Sequence, residues 1–197
     1  MTEPAEPAEP TEHRSPVGPP RWRVRLLGEV SASGAGQQVL RFPARAVATL
    51  LARLALAPER AHAREELIEL LWPGVAPDIG RNRLRQVLST LKSLLEPAGD
   101  PGHAVLLADR LSVRVVPDAL ACDALDFQRL AAAANAAHTA QARALYQGEL
   151  MPGYYDDWVE SERRRLVDLY QGLARGPQTG PGPVEAAAPA RGPAAAP

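Results

Sequence analysis

The chain is poor in several features that chemistry or compartment would demand. Among 197 residues there is one cysteine, Cys122, which excludes internal disulfides and multi-thiolate metal sites and suits a reducing cytoplasm. No run approaches the roughly 18 apolar residues of a membrane span, so no membrane partner is expected. The first residues are acidic and proline-rich, without the basic and apolar stretches of a secretory signal. His13, His62, His103 and His138 are scattered, with no partner at metal or triad spacing. Gly34-Ala35-Gly36 fits a hairpin turn and lacks the Lys and Ser/Thr of a phosphate-cradling loop. Asp156-Asp157 suits a helix start better than acid–base work. These absences argue against an enzyme, and no cofactor or metal is expected.

Neither sign of charge dominates: 22 Lys+Arg stand against 23 Asp+Glu. The balance conceals a partition. Residues 21–95 carry 12 basic and 6 acidic groups, whereas residues 121–175 carry 6 and 8. Positive charge is thus gathered in one block, the footprint expected of phosphate contact. Residues 1–20 and 176–197 each hold 6 of the 20 prolines and are expected to be a disordered head and tail.

Between them the hydrophobic period changes in an informative order. Trp22 to Leu27 alternates apolar with basic, a half-buried strand, and Gln38 to Phe42 reads as its return. Val47, Leu50, Leu51 and Leu54 mark a helix ended by Pro58. A second, short helix runs from Arg64 to Trp72. Pro73 to Asp78 forms a breaker-rich turn, with Asp78 suited to cap the third helix.

That third helix, Ile79 to Leu95, carries an apolar stripe of Leu84, Leu88, Leu91 and Leu95. Asn82, Gln86, Ser89 and Ser93 fall opposite, within about 40° of the far pole. Arg85 and Lys92 border this polar face on one side, Arg83 and Thr90 on the other. Carboxylates are absent from Gly80 through Leu95, whereas an ordinary solvated helix mixes both signs. Seventeen residues span about 25 Å, enough to cross a major groove about 12 Å wide. Amides and hydroxyls suit base edges, and cations suit phosphates or guanine. Ala104 to Leu107, a turn at Ala108-Asp109-Arg110, and Leu111 to Val116 then form a β-hairpin placed as a wing. The base-reading candidates are Asn82, Arg85, Gln86 and Ser89. The phosphate-contact candidates are Arg81, Arg83, Lys92 and Arg110.

On these residues Trp22 to Val116 resembles the OmpR-type winged-helix DNA-binding domain of AfsR/SARP-type bacterial transcriptional activators. The stretches that carry the resemblance are VRLLGEV, AREELIELLWPGVAPDIGRNRLRQVLSTLKSLLEP and the hairpin. Downstream, ALACDALDFQRLAAAA and LYQGELMPGYYDDWVESERRRL resemble the opening of the bacterial transcriptional activator domain, a bundle of tetratricopeptide-like helix pairs. The resemblance implies an α+β winged helix-turn-helix over residues 21–117 and a partial all-α activator segment over 118–175, shorter than is usual in that family. It implies the third helix as recognition helix and duplex DNA as partner, at direct repeats upstream of promoters. It further implies a turn at Pro73–Asp78 that can face RNA polymerase, and a cytoplasmic, nucleoid-bound regulator, with homodimerisation as its oligomeric arrangement.

The second region reads compatibly by itself. Asp123 is placed to cap a helix bearing Phe127, Leu130, Ala131 and Ala134, and Thr139 to start another. Asp156-Asp157 opens a last helix striped by Trp158, Val159, Leu166, Leu169, Tyr170 and Leu173, with Glu162 the one polar interruption. The competing function is a protein-binding adaptor whose winged helix does not grip DNA. Apolar or acidic groups in place of Asn82, Gln86 and Ser89 would be its mark.

Overall fold

The computed structural model describes residues 20–34, 36–96, 104–133 and 135–175. The expected disordered head (but for Pro20) and tail, and Ala134, lie outside them. Strand β1 (Trp22–Arg25) buries Trp22 and Val24 and exposes Arg23 and Arg25, as its alternation predicts. It pairs antiparallel with β2 (Ser31–Gly34), which pairs antiparallel with β3 (Gln37–Val39). The return strand is shorter than predicted. Val39 pairs with Ala32, one residue from the start of β2, so the ladder ends and Leu40 is 58% exposed.

Helix α1 (Arg45–Leu56) buries Val47, Leu50, Leu51 and Leu54 at the centre of the core. Strand β4 (His62–Ala63) follows, then α2 (Arg64–Leu71) and α3 (Pro77–Leu95). Strands β5 (Leu106–Ala108) and β6 (Ser112–Val115) make the hairpin, and β4 joins it on the far side of β6. Two strands escape a period-based reading. β4 has two residues, and β7 (Leu120–Cys122) pairs parallel with β1, so the segment read as the start of the activator region closes the first sheet. Helices α4 (Asp123–Ala132), α5 (Ala136–Leu145) and α6 (Asp157–Arg175) complete the order. The described residues therefore form a mixed α/β fold with six helices and two small sheets. None of these helices is long and apolar enough to cross a membrane.

Three expected caps move. Asp78 does not cap α3; Pro77, which has no N–H to satisfy, opens the helix after Ala76, and Asp78 enters its first turn. Asn135, not Thr139, starts α5, its side chain accepting the His138 N–H at 2.9 Å. Asp123 is the first residue of α4 and turns back to the N-terminal sheet. Its carboxylate accepts the N–H groups of Leu26 at 2.8 Å, Leu27 at 3.1 Å and Ala124 at 2.7 Å. Burial raises its pKa in spite of these donors. Asp123→Asn keeps the shape but sets an amide NH2 against a backbone donor. We expect a loss of about 1 kcal/mol of unfolding free energy in urea titration.

The polar interruption in the α6 stripe is also explained. Glu162 accepts from Arg165 one turn on and from Gln128 Nε2 on α4 at 3.4 Å. It links α6 to α4, on the α6 stripe whose Val159 and Leu166 are buried.

His62 is fully buried beside the hairpin, with Nε2 3.2 Å from the Ala57 carbonyl and Nδ1 without a partner. Burial lowers its pKa; the Ala57 carbonyl opposes this, and the Arg53 and Arg60 charges assist it. The unfolded chain therefore takes up the proton first as pH falls. The His62 contribution to stability is complete above pH about 6.5 and declines below it, by at most about 1.4 kcal/mol per pH unit. Urea midpoints measured from pH 7.5 to 5 should fall more steeply for the native chain than for His62→Gln.

Candidate nucleic-acid interface

The outer face of α3 is set by what its inner face must do. Leu84, Val87, Leu88, Leu91 and Leu95 are buried against α1 and α2. Gly80 lies so close to Ile68 of α2 that a Cβ there would overlap the Ile68 side chain. Gly74, at φ +71°, supplies the left-handed residue that turns α2 into α3. At the other end the Trp22 indole N–H donates to the Leu95 carbonyl at 2.9 Å. The Glu96 carboxylate accepts the N–H groups of Val105 and Leu106 at 2.7 and 2.9 Å. These contacts fix both the roll of the helix and its distance from the hairpin.

With the apolar stripe inward, Asn82, Arg83, Arg85, Gln86 and Ser89 are all exposed, and Lys92 is half-buried. Arg85 Nη1 donates to Asn82 Oδ1 at 2.9 Å, so these two candidates form one unit. The Arg83 guanidinium lies 6.0 Å from the centre of the Trp72 ring, on the flank of the face. Thr90 Oγ1 donates to the Gln86 carbonyl at 3.0 Å and so turns away from solvent. Arg81 departs from expectation. Its guanidinium meets Asp78 at 2.8 Å and Glu65 at 3.4 Å, and this pair of carboxylates occupies the charge expected to meet phosphate. The reason is the shifted helix start, which brings Asp78 within i,i+3 reach.

Between α3 and the hairpin runs a groove of about 470 Å³ lined by Arg64, Glu65, Ile68, Arg81, Leu84, Arg85, Ala108, Asp109 and Arg110. Arg110 stands at the hairpin tip. The tip owes its shape to Asp109, whose carboxylate accepts the N–H groups of Leu111 and Ser112, both at 2.7 Å, and the Ser112 hydroxyl at 3.0 Å. Those hydrogen bonds hold the Asp109 pKa below the usual range. Its charge builds the turn.

Arg64 was missed by periodicity, which reads it only as the start of α2. Its N–H donates to the Leu111 carbonyl at 2.9 Å and its Nε to the Asp109 carbonyl at 2.8 Å, which puts a fourth arginine in the groove with Arg81, Arg85 and Arg110. One signal was available. A cation in the first turn of a helix opposes the macrodipole, so its placement asks for another reason.

The geometry can be set beside known proteins. No protein-family model matches the chain, and no curated protein matches it. Among solved structures, the chain is similar to Mycobacterium tuberculosis EmbR in complex with a low-affinity phosphopeptide. The two share 25% identity and a TM-score of 0.63 over 78% of this chain. The match spans 44% of the EmbR chain, less than half its length. The likeness supports an OmpR/SARP-like winged-helix fold.

Proposed function

We propose that this chain is a sequence-specific, double-stranded-DNA-binding regulator of transcription. In this reading α3 lies in the major groove and the β5–β6 hairpin serves as a wing. The observation that carries it is the outer face of α3 from Asn82 to Ser93, free of carboxylates, bordered by cations and open to a groove that holds Arg64, Arg85 and Arg110. The similarity to EmbR supports the regulatory role coarsely. Arg85, Asn82, Gln86 and Ser89 read base edges, while Arg83, Lys92, Arg110 and Arg64 contact phosphates. Arg81 serves the α2–α3 junction. The turn at Pro73–Ala76 faces RNA polymerase, α4 to α6 act as the tetratricopeptide-like opening of an activator domain, and two copies sit on direct repeats. No catalytic step or cofactor belongs to this function.

The test is titration of the whole chain with random-sequence 30-base-pair duplexes over a range of salt. A complex is expected whose log affinity falls linearly with log salt concentration. Lys92→Ala and Arg110→Ala should each weaken all sequences alike and reduce the slope by about one. Absence of any complex at low ionic strength would transfer the case to the adaptor reading, in which this face meets protein.

A further inference from the structure

Ile79 stands where neither packing nor helix formation calls for an apolar side chain. It is the third residue of α3 and 49% exposed, among the described residues one of few large apolar side chains so open to solvent. The work of closing the α2–α3 junction is done by its neighbours, since Ile68 and Val75 close around Gly80. The buried stripe of α3 takes Gly80, Leu84 and Val87, and Ile79 projects away from it. A β-branched residue gives up side-chain freedom in a helix, and here only about half of the side chain is covered to offset that loss.

Its position on the helix is informative. Ile79 precedes Asn82 by three residues, Arg83 by four and Gln86 by seven, spacings that place all four on one side of an α-helix. It therefore extends the polar outer face by one turn towards the N-terminus, the end at which helix-turn-helix recognition helices make base contacts. The major-groove edge of duplex DNA offers one apolar feature, the 5-methyl group of thymine.

We propose that Ile79 is a specificity residue that packs against a thymine methyl group beside the bases met by Asn82 and Gln86. The inference rests on the DNA-binding reading above. The sec-butyl side chain removes that methyl from water and meets only a C5–H where cytosine replaces thymine. It thereby adds discrimination that the amides alone do not supply. Burying one methyl group corresponds to about fourfold in affinity.

The experiment first selects bound duplexes from a random 30-base-pair pool with the native chain. Each thymine of the selected duplex is then replaced singly by deoxyuridine, which removes the methyl and leaves every hydrogen-bonding group in place. We expect one deoxyuridine position to lower affinity about fourfold for the native chain and for Ile79→Val, and to leave the affinity of Ile79→Ala unchanged. Alanine is the better helix former, so the variant keeps its fold. The proposal is overturned if no deoxyuridine position matters to the native chain, or if the sensitive position remains as sensitive in Ile79→Ala. Failure to select any duplex would instead overturn the DNA-binding reading itself, and the two failures are separate results.

Discussion

Arg163→Ala is expected to lower the unfolding free energy by about 3 kcal/mol, measured by urea titration of tryptophan fluorescence. The side chain is 14% exposed, and its guanidinium donates to three main-chain carbonyls. Nε reaches Leu150 at 2.9 Å, and Nη2 reaches Met151 at 2.9 Å and Tyr154 at 2.8 Å. Hydrogen bonds to a charged donor are each worth about 1.5–3 kcal/mol, and truncation leaves the acceptors without a replacement, so even partial relaxation leaves a large loss. The loop being held is the seam between α4–α6 and the first sheet. Gly28 N–H donates to Glu149 at 3.0 Å, Met151 N–H donates to Leu26 at 2.8 Å, and Leu27 bridges Leu150. Met151 sits at φ +46°, a conformation that a non-glycine residue keeps only when its surroundings over-determine it. Arg45 adds a second hold, donating to the Gly153 carbonyl at 2.9 Å and to Asp156 at 3.1 Å over the Tyr154 ring. Arg163→Lys keeps the charge but not the planar fork, and should recover less than half of the loss. A change below about 1 kcal/mol in the alanine variant would show that the seam does not depend on this side chain.

That seam marks where reading from sequence stops. The elements with a sustained period were legible: β1 by alternation, α1 and α3 by their apolar stripes, the hairpin by two short runs around Ala108–Arg110. The outward face of α3 followed from the same arithmetic, because burying Leu84, Leu88, Leu91 and Leu95 leaves Asn82, Gln86 and Ser89 one place to go. β4 and β7 were not legible. Two or three residues cannot display a period, and their pairing is decided by partners 51 and 98 residues away, His62 with Val113 and Trp22 with Leu120. Arg163 was hidden for a different reason. Its partners are carbonyls, which every residue carries, so no side-chain pattern announces the contact. Asp123 shows the same limit: its position suits a cap, and only the tertiary fold turns its carboxylate towards Leu26 and Leu27. In the site, Arg81 is a phosphate-contact candidate by its charge, and its pairing with Asp78 and Glu65 emerges only once Pro77 opens α3 and α2 packs beside it.

Arg85→Ala should weaken binding to the best selected duplex by about 2 kcal/mol, roughly thirtyfold, with loss of preference at one base pair. The guanidinium is exposed on the open face of α3, on the wall of the groove, and Asn82 Oδ1 holds one of its nitrogens at 2.9 Å. A guanidinium fixed in this way offers its remaining donors as a fork, the geometry that matches O6 and N7 of guanine. The same bond makes the role of Asn82 testable. If Asn82 acts by holding Arg85, then Asn82→Ala blurs the preference at the same base pair, and the double variant is barely worse than Arg85→Ala alone. If Asn82 reads a base by itself, the two losses add and fall on different positions of the duplex. Arg85→Lys separates charge from shape. It should keep most of the salt dependence, because the positive charge stays, and lose the base preference, because the fork is gone. An Arg85→Ala variant with native affinity, preference and salt slope would remove this face of α3 from the interface and leave the groove beside the hairpin without its reader.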